Sequence, residues 1–217
     1  MTVKLTERLL AVARLVRDGS SLADIGCDHG YLPVYLILNG KIKNAVAGDI
    51  NEGPLDSCRS LVSEYALEDK IKCVLSDGLK NIPENEANDI AICGMGGELI
   101  ADIISSCEWA KEKDKHYIFN PMTHPEMLRK YLCENGFEIG TDIIVKEGRH
   151  YYSVFEASYK GTIKEYPESY YYLGNIKDFT HKEYFVHLLN YLENKAKSGF
   201  DFSNIIADIK EKINDNC

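Results

Sequence analysis

The sequence predicts a doubly wound α/β fold: a parallel sheet with helices on both faces, one reversed strand at an edge, and a small helical appendage after it. Three observations carry this. From residue 21 to residue 134, apolar runs of strand length alternate with stretches of helical spacing, the pattern of a parallel sheet with right-handed crossovers. Two strand-like runs, 137–146 and 151–159, then follow with only Glu147-Gly148-Arg149-His150 between them, which implies an antiparallel hairpin. After Gly161 the spacing becomes helical.

The elements follow in order. Leu5, Leu9, Val12, Ala13 and Val16 keep one helical face, so 5–17 reads as a helix ended by Asp18-Gly19. A strand at 21–25 runs into a glycine-containing turn and the helical stretch 32–38; a second strand at 45–50 leads to a helix at 53–65. Strands at 71–75 and 89–93 come next, the latter meeting Gly94-Met95-Gly96-Gly97 and a helix at 98–105. A fifth strand, 117–119, precedes Asn120-Pro121-Met122 and a helix at 125–134 that Asn135-Gly136 stops. Beyond Gly161, one segment carries Phe185, Leu188, Leu189 and Leu192 and another Phe202, Ile206, Ile209 and Ile213, with a break at 194–199, so a coiled-coil-like helical hairpin is expected. The division predicted is 1–160 for the α/β domain and 161–217 for the helical one.

Composition narrows the setting. A chain of 217 residues, 45% hydrophobic and 27% charged, is of ordinary globular make-up and can bury one good core. Its seven cysteines include no C-x-x-C pair, its amino terminus has no unbroken apolar stretch, and no segment approaches the roughly 20 apolar residues of a membrane span. The reducing cytoplasm is therefore the expected compartment. A net charge of −9 argues against indiscriminate binding to polyphosphate but leaves room for a local basic face.

In an open α/β sheet, ligands bind outside the carboxyl ends of the strands, where the strand order reverses. Asp24-Ile25-Gly26-Cys27-Asp28-His29-Gly30 follows the first strand, and Gly26 and Gly30 let backbone come close to a ligand. The loop is not a G-x-G-x-x-G nicotinamide fingerprint, since Asp28 and Tyr31 stand where the later glycines belong. Asp28 would repel a diphosphate; a sulfonium and the ammonium of a methionine tail would meet no such repulsion. That difference points to S-adenosylmethionine. Asp49, with Ile50 beside it, ends the second strand, where a carboxylate can accept both ribose hydroxyls or simply cap the next helix. Asp77-Gly78-Leu79 ends the third, placed to meet an adenine amine or to form an ordinary turn.

Three glycines in four residues at Gly94-Met95-Gly96-Gly97 cost entropy unless backbone must bend or approach something, so this loop is expected between cofactor and substrate. Met95 either shields the sulfonium or is core. Asn120-Pro121-Met122 resembles the Asn/Asp-Pro-Pro-Tyr/Phe signature of amino-group methyltransferases, with Met122 and Thr123 in its last two places, and is the expected catalytic segment. His29 either touches a ligand or packs. The six histidines show no metal-ligand spacing, no Cys–His cluster appears, and no metal is expected.

In these residues, together with Leu5-Thr6-Glu7-Arg8-Leu9, Tyr31-Leu32-Pro33, Asn39-Gly40-Lys41, Lys146-Glu147 and His150-Tyr151-Tyr152, the chain resembles the bacterial tRNA (adenine-22-N1)-methyltransferases of the TrmK type. The resemblance spans roughly residues 5–160 and implies a class I, Rossmann-like methyltransferase domain followed by a helical coiled-coil-like domain, with S-adenosylmethionine as cofactor and tRNA as partner. It adds Arg8 to the cofactor-binding set. Where members of the family show Gln before the proline of the catalytic segment, this chain has Asn120. Lys4, Arg8, Arg14, Arg17, Lys41 and Lys43 are the local candidates for phosphate contacts in an otherwise acidic chain. Adenine N1 has an in-plane lone pair, so positioning a flipped or unpaired base is the enzyme's main task, with Asn120 expected to stabilise the cationic product. Two other readings stay open on the residues alone: methylation of a small molecule, and a non-catalytic S-adenosylmethionine-binding regulator.

Overall fold

Successive side chains of a strand point to opposite faces of its sheet, and along the central strands of this chain both sets are apolar. A computed structural model, which describes residues 3–197, 199 and 201–216, shows where they go. In β1 (Ser21–Ile25) Leu22 enters one core, and Ala23 and Ile25 enter another. In β4 (Asp89–Cys93) Ala91 joins the first and Ile90 and Ile92 the second, and β5 (His116–Asn120) divides Ile118 from Tyr117 and Phe119 in the same way. A sheet buried on both faces needs helices on both sides. Helices α1 (Glu7–Leu15), α2 (Tyr31–Leu38) and α3 (Glu52–Glu64) close the first core through Val12, Leu36 and Leu55, while α4 (Gly97–Ser105) and α5 (Pro125–Glu134) close the second through Ile100, Leu128 and Leu132. Helix α1 is shorter than its apolar spacing predicts, because Thr6 and Val16 are both extended.

The strand order is β3-β2-β1-β4-β5-β7-β6, with β2 (Asn44–Asp49) and β3 (Ile71–Leu75) outward of β1. Strands β1 to β5 pair in parallel, and β7 (His150–Tyr159) runs antiparallel to both β5 and β6 (Phe137–Glu147). The reversed strand expected at the edge thus stands one place in, and β6 takes the edge. Burial decides this: Val154 of β7 enters the first core and Phe155 and Ala157 the second, so β7 needs cover on both faces. The order reverses between β1 and β4, which sets the carboxyl ends of these two strands, with β2 and β5 beside them, around one crevice.

The sequence predicts two helical segments after Gly161; the structure adds a third, α6 (Glu168–Leu173), ahead of α7 (Lys182–Ala196) and α8 (Ser203–Asn216). Six residues rich in tyrosine give too short a pattern to read. Leu173, Ile176, Phe185, Leu192 and Ile209 form a third core with Ile144 of β6, and Ile176 makes an isolated bridge to Asp142 that covers the sheet edge. Arg129 of α5, fully buried, ties these parts together. Its guanidinium donates to Asp142, to the Ser153 hydroxyl and to the carbonyls of Tyr171 and Tyr172, and lies 5.0 Å from the centre of the Phe155 ring. The six described cysteines are free thiols, and Cys217 lies outside the described residues. No helix among the described residues is long and apolar enough to cross a membrane.

At the amino ends of the strands, His116 is clamped between Asp89, at 3.3 Å, and Glu156, at 2.8 Å. Burial alone would lower the imidazolium's pKa, but the two carboxylates outweigh it and raise His116 to about 9 from 6.5. A histidine raised on folding stabilises fully below its unfolded pKa and loses that contribution as pH climbs through its folded one. The melting-temperature advantage of the natural chain over His116→Gln is therefore expected to shrink between pH 6.5 and about 9. An advantage constant across that range would show that the clamp does not titrate.

Candidate active site

The loop after β1 folds back over the sheet through left-handed backbone: φ is +73° at Gly26, +50° at Asp28 and +73° at Gly30. The N–H groups of Gly26 and Cys27 both donate to the Gly48 carbonyl of β2, at 2.8 and 3.0 Å. A Cβ at Gly26 would meet the terminal methyl of Met95 from the loop after β4, which can move, so it is the φ of +73° that favours glycine here. These loops enclose a cavity of about 510 Å³ lined by Arg8, Gly26, Asp28, Asp49, Ile50, Asn51, Ser76, Asp77, Gly78, Gly94, Met95, Leu99, Ile103 and Met122. A smaller recess of about 130 Å³ shares Arg8, Gly26, Asp28 and Gly94 with it and ends on Asp24, Cys27 and Tyr31.

The electrostatics of this space are acidic. Asp24 is 5% exposed, and burial, reinforced by the nearby charges of Asp49 and Asp28, raises its carboxyl to about 7 from 3.8. A carboxyl raised on folding makes the free chain less stable as pH rises from 3.8 to about 7. A cation bound beside it offsets that cost. Asp49 is held rigid by two backbone donors, the N–H groups of Asn51 at 2.9 Å and Asp28 at 3.3 Å, which leaves lone pairs facing the cavity. Asp77 is exposed and paired with Lys80 at 2.5 Å, while the Ser76 hydroxyl donates to the Gly78 carbonyl and accepts from the Asn81 N–H to shape the loop.

Above the recess stands Arg8, at the start of α1. Its Nε and backbone N–H each donate to Glu147 at 3.1 Å, its Nη1 donates to Asn120 Oδ1 at 3.1 Å, and its guanidinium carbon is 5.6 Å from the centre of the Tyr152 ring. Partial burial would raise Glu147, but the Arg8 N–H and guanidinium hold its carboxyl below the usual range. Asn120 is fully buried and its Nδ2 donates to the Ser153 carbonyl, so both ends of its amide are engaged. Asn120, expected to stabilise the cationic product, lies behind the open space with its amide turned to Arg8 and β7. Its side chain holds Arg8, and Pro121 and Met122 present the segment to open space.

The loops after β4 and β5 are joined by backbone. Met122 N–H donates to the Met95 carbonyl and Gly97 N–H to the Thr123 carbonyl, both at 2.8 Å, and Gly96 bridges Thr123. A Cβ on Gly97 would overlap the His124 carbonyl. The glycine run therefore does two things: Gly94 and Met95 line the cavity, whereas Gly96 and Gly97 let the two loops close on each other.

Ten of the residues expected to hold cofactor come together at the two spaces: Arg8, Asp24, Gly26, Asp28, Asp49, Ile50, Asp77, Gly78, Gly94 and Met95. Four do not. His29 faces outward beside Asp28, Gly30 starts α2 against Cys58, Leu79 is buried in the second core, and Gly96 belongs to the loop junction. Of the basic candidates, Lys4 is exposed two residues before the capping Thr6, near Arg8. Arg14, Arg17, Lys41 and Lys43 gather instead where the strands begin, at the far end of α1. There Arg17 is spent on Asp89, at 2.6 Å, and on the carbonyls of Asn88 and Asp114, and Lys41 donates to the Arg14 carbonyl at 3.0 Å. Sequence reasoning gave no site role to Asn51, Ser76, Leu99 or Ile103, and none to Glu147 and Tyr152 beyond their place in a motif. Glu147 is 139 residues from Arg8, so no local spacing could pair them. Among the described residues no group of three His, Cys, Asp or Glu side chains is placed to hold a metal ion.

A family model described as a methyltransferase domain matches residues 5–155. The chain is 36% identical over 155 residues to the tRNA (adenine(22)-N(1))-methyltransferase of Bacillus subtilis, an alignment that covers 71% of this chain and 65% of that relative. The chain thus spans just under two thirds of the relative's length. Among solved structures, the M. capricolum TrmK in complex with its cofactor product S-adenosyl-homocysteine has 30% sequence identity and a TM-score of 0.76, covering 97% of this chain and 95% of that one. The B. subtilis m1A22 tRNA methyltransferase TrmK has 26% identity and a TM-score of 0.81, covering 98% and 97%.

The position of Asp49 generates a test. Asp49→Ala is expected to weaken S-adenosylmethionine at least tenfold in calorimetric titration, about 1.4 kcal/mol. An unchanged affinity would remove its carboxylate from the ligand contacts.

Proposed function

We propose that this chain, which belongs to the TrmK family of methyltransferases, transfers a methyl group from S-adenosylmethionine to N1 of adenine 22 in tRNA. The observation that carries the reading is the acid-lined crevice at the strand-order switch, where Asp24 is buried beside Asp49 and Asp28. A nicotinamide dinucleotide brings a diphosphate to this place; S-adenosylmethionine brings a sulfonium and an ammonium. The fit is supported by the close approach that Gly26 permits and by the two orienting donors on Asp49.

In this reading the recess at Asp24 takes the methionine end, Asp49 accepts the ribose hydroxyls, and Asp77 with Gly78 borders the adenine. The bound cofactor supplies an electrophilic methyl group, which the in-plane N1 lone pair takes as the carbon–sulfur bond breaks. The protein's part is positioning and exclusion of water. Pro121 and Met122 form the wall against which the acceptor base rests, Met95 and Met122 are held together by their backbone bond, and Arg8 is locked by Glu147 and Asn120 over the cofactor's inner end. No general base is needed, because N1 carries no proton to remove. The base must be flipped or unpaired to expose its Watson–Crick edge.

Lys4 is the basic side chain best placed for a phosphate near the cavity; Arg14, Lys41 and Lys43 would meet only RNA that reaches the amino ends of the strands. The α/β domain is taken as 1–160 and the helical domain as 161–217, with the cytoplasm, where tRNA is found, as the place of action.

Incubation of the full chain with unmodified tRNA and S-adenosylmethionine, followed by mass spectrometry of the nucleosides, is expected to yield 1-methyladenosine from position 22. Asn120→Ala, which removes one of the two anchors of Arg8, is expected to lower kcat about 10²-fold, as a small misplacement in a site can, while cofactor affinity is largely kept. Methyl on carbon or on the exocyclic amine, or no incorporation into tRNA, would overturn the proposal.

A further inference from the structure

Beside the cofactor cavity lies a second space of about 580 Å³, and methyl transfer as described uses only its inner end. Met122 lines both spaces and Pro121 the second. The outer wall comes from the turn between β6 and β7, with Arg149 and Tyr151, and from helix α7, with Tyr184, His187 and Tyr191. The three α7 residues fall at i, i+3 and i+7 and so share one helical face. Tyr184 packs against the third core beside Phe185, whereas His187 and Tyr191 lie outside that core. Tyr191, with Lys195 4.8 Å from its ring centre, is 39% exposed and His187 is exposed as well, so these two rings remain accessible from the cleft.

The cleft differs from the cofactor cavity in charge. Glu183 accepts from Lys146 and Tyr151, and Glu126 faces His124, so its nearby carboxylates are already engaged. Arg149 is exposed and lies at its mouth. The volume is within the roughly 300–1,000 Å³ of sites that hold whole ligands, more than one base against Met122 would occupy. None of the α7 rings lines the cofactor cavity, so an acceptor base in reach of the cofactor leaves them uncovered.

We infer that this cleft receives the nucleotide next to the methyl-accepting adenine, its base stacked on the His187 and Tyr191 rings and its phosphate at Arg149. The inference rests on the RNA reading given above and extends it to α7. Flipping the adenine deprives its neighbours of a stacking partner, and an aromatic wall replaces that partner. Stacking also tolerates different bases, so the contact orders the chain without reading its sequence.

The test uses the full-length enzyme, unmodified tRNA and steady-state kinetics. Tyr191→Ala is expected to raise KM for tRNA about tenfold, the size of one lost base–aromatic stack, with S-adenosylmethionine affinity unchanged, and Tyr191→Phe to restore it. A tRNA made abasic immediately 5′ or 3′ of the acceptor should show the same rise with the natural enzyme and no further rise with Tyr191→Ala. An unaltered KM, or a Tyr191→Ala penalty that multiplies with both abasic sites, overturns the inference while leaving methylation of tRNA standing. A change in sedimentation with KM unaltered would make the α7 face a contact between copies of the chain and overturn it likewise. If the natural enzyme places no methyl on tRNA, the parent reading and this one fall together.

Discussion

The fold buries one carboxylate at the point where its strand order reverses, and the rest of the site is arranged around it. Asp24 is the penultimate residue of β1, between β2 on one side and β4 on the other, with Asp49 and Asp28 close by. Taking a lone carboxylate from water is costly unless it is paired or neutralised, and here the pairing is not internal. Arg8, which lines the same recess, has its guanidinium committed to Glu147 and Asn120. Asp24 therefore stays largely protonated up to about pH 7 unless a positive charge comes from outside. A cationic cofactor completes a site that the chain alone leaves electrostatically unfinished.

A second constraint is geometric. The loops after β4 and β5 are fixed to each other by backbone bonds, and their approach leaves no room for a side chain at Gly97. Arg8 adds a link from the first helix to the end of β5 and to the end of β6. Three segments distant in sequence thereby share one rigid frame. In that frame Asn120 is a support: its amide is buried, and what it determines is where Arg8 points.

How far all this was legible in the sequence follows from the range of each interaction. The alternation of strands and helices is local, so the parallel sheet and both layers of helices could be read directly. The loop from Asp24 to Gly30 was legible too, because glycines and acids at a strand end have few structural reasons to coincide. The place of β7 was less so, since a hairpin fixes which strands are neighbours but not which of them lies inside. Short α6 left no period to detect. The partners of Arg8, and the loss of Arg17 to Asp89 72 residues away, are tertiary pairings between charged residues that look alike in a sequence. The aromatic face of α7 was hidden by a stronger signal on the same helix, the apolar stripe of Phe185 and Leu192.

The claim at the centre is that Asp24 gives up its proton when the cofactor's positive charge arrives. Calorimetric titration of S-adenosylmethionine at pH 6.5, in two buffers of different ionisation enthalpy, reads that proton directly. The account predicts net proton release with the natural chain and none with Asp24→Asn. A binding enthalpy independent of the buffer, or equal release from Asp24→Asn, would contradict it.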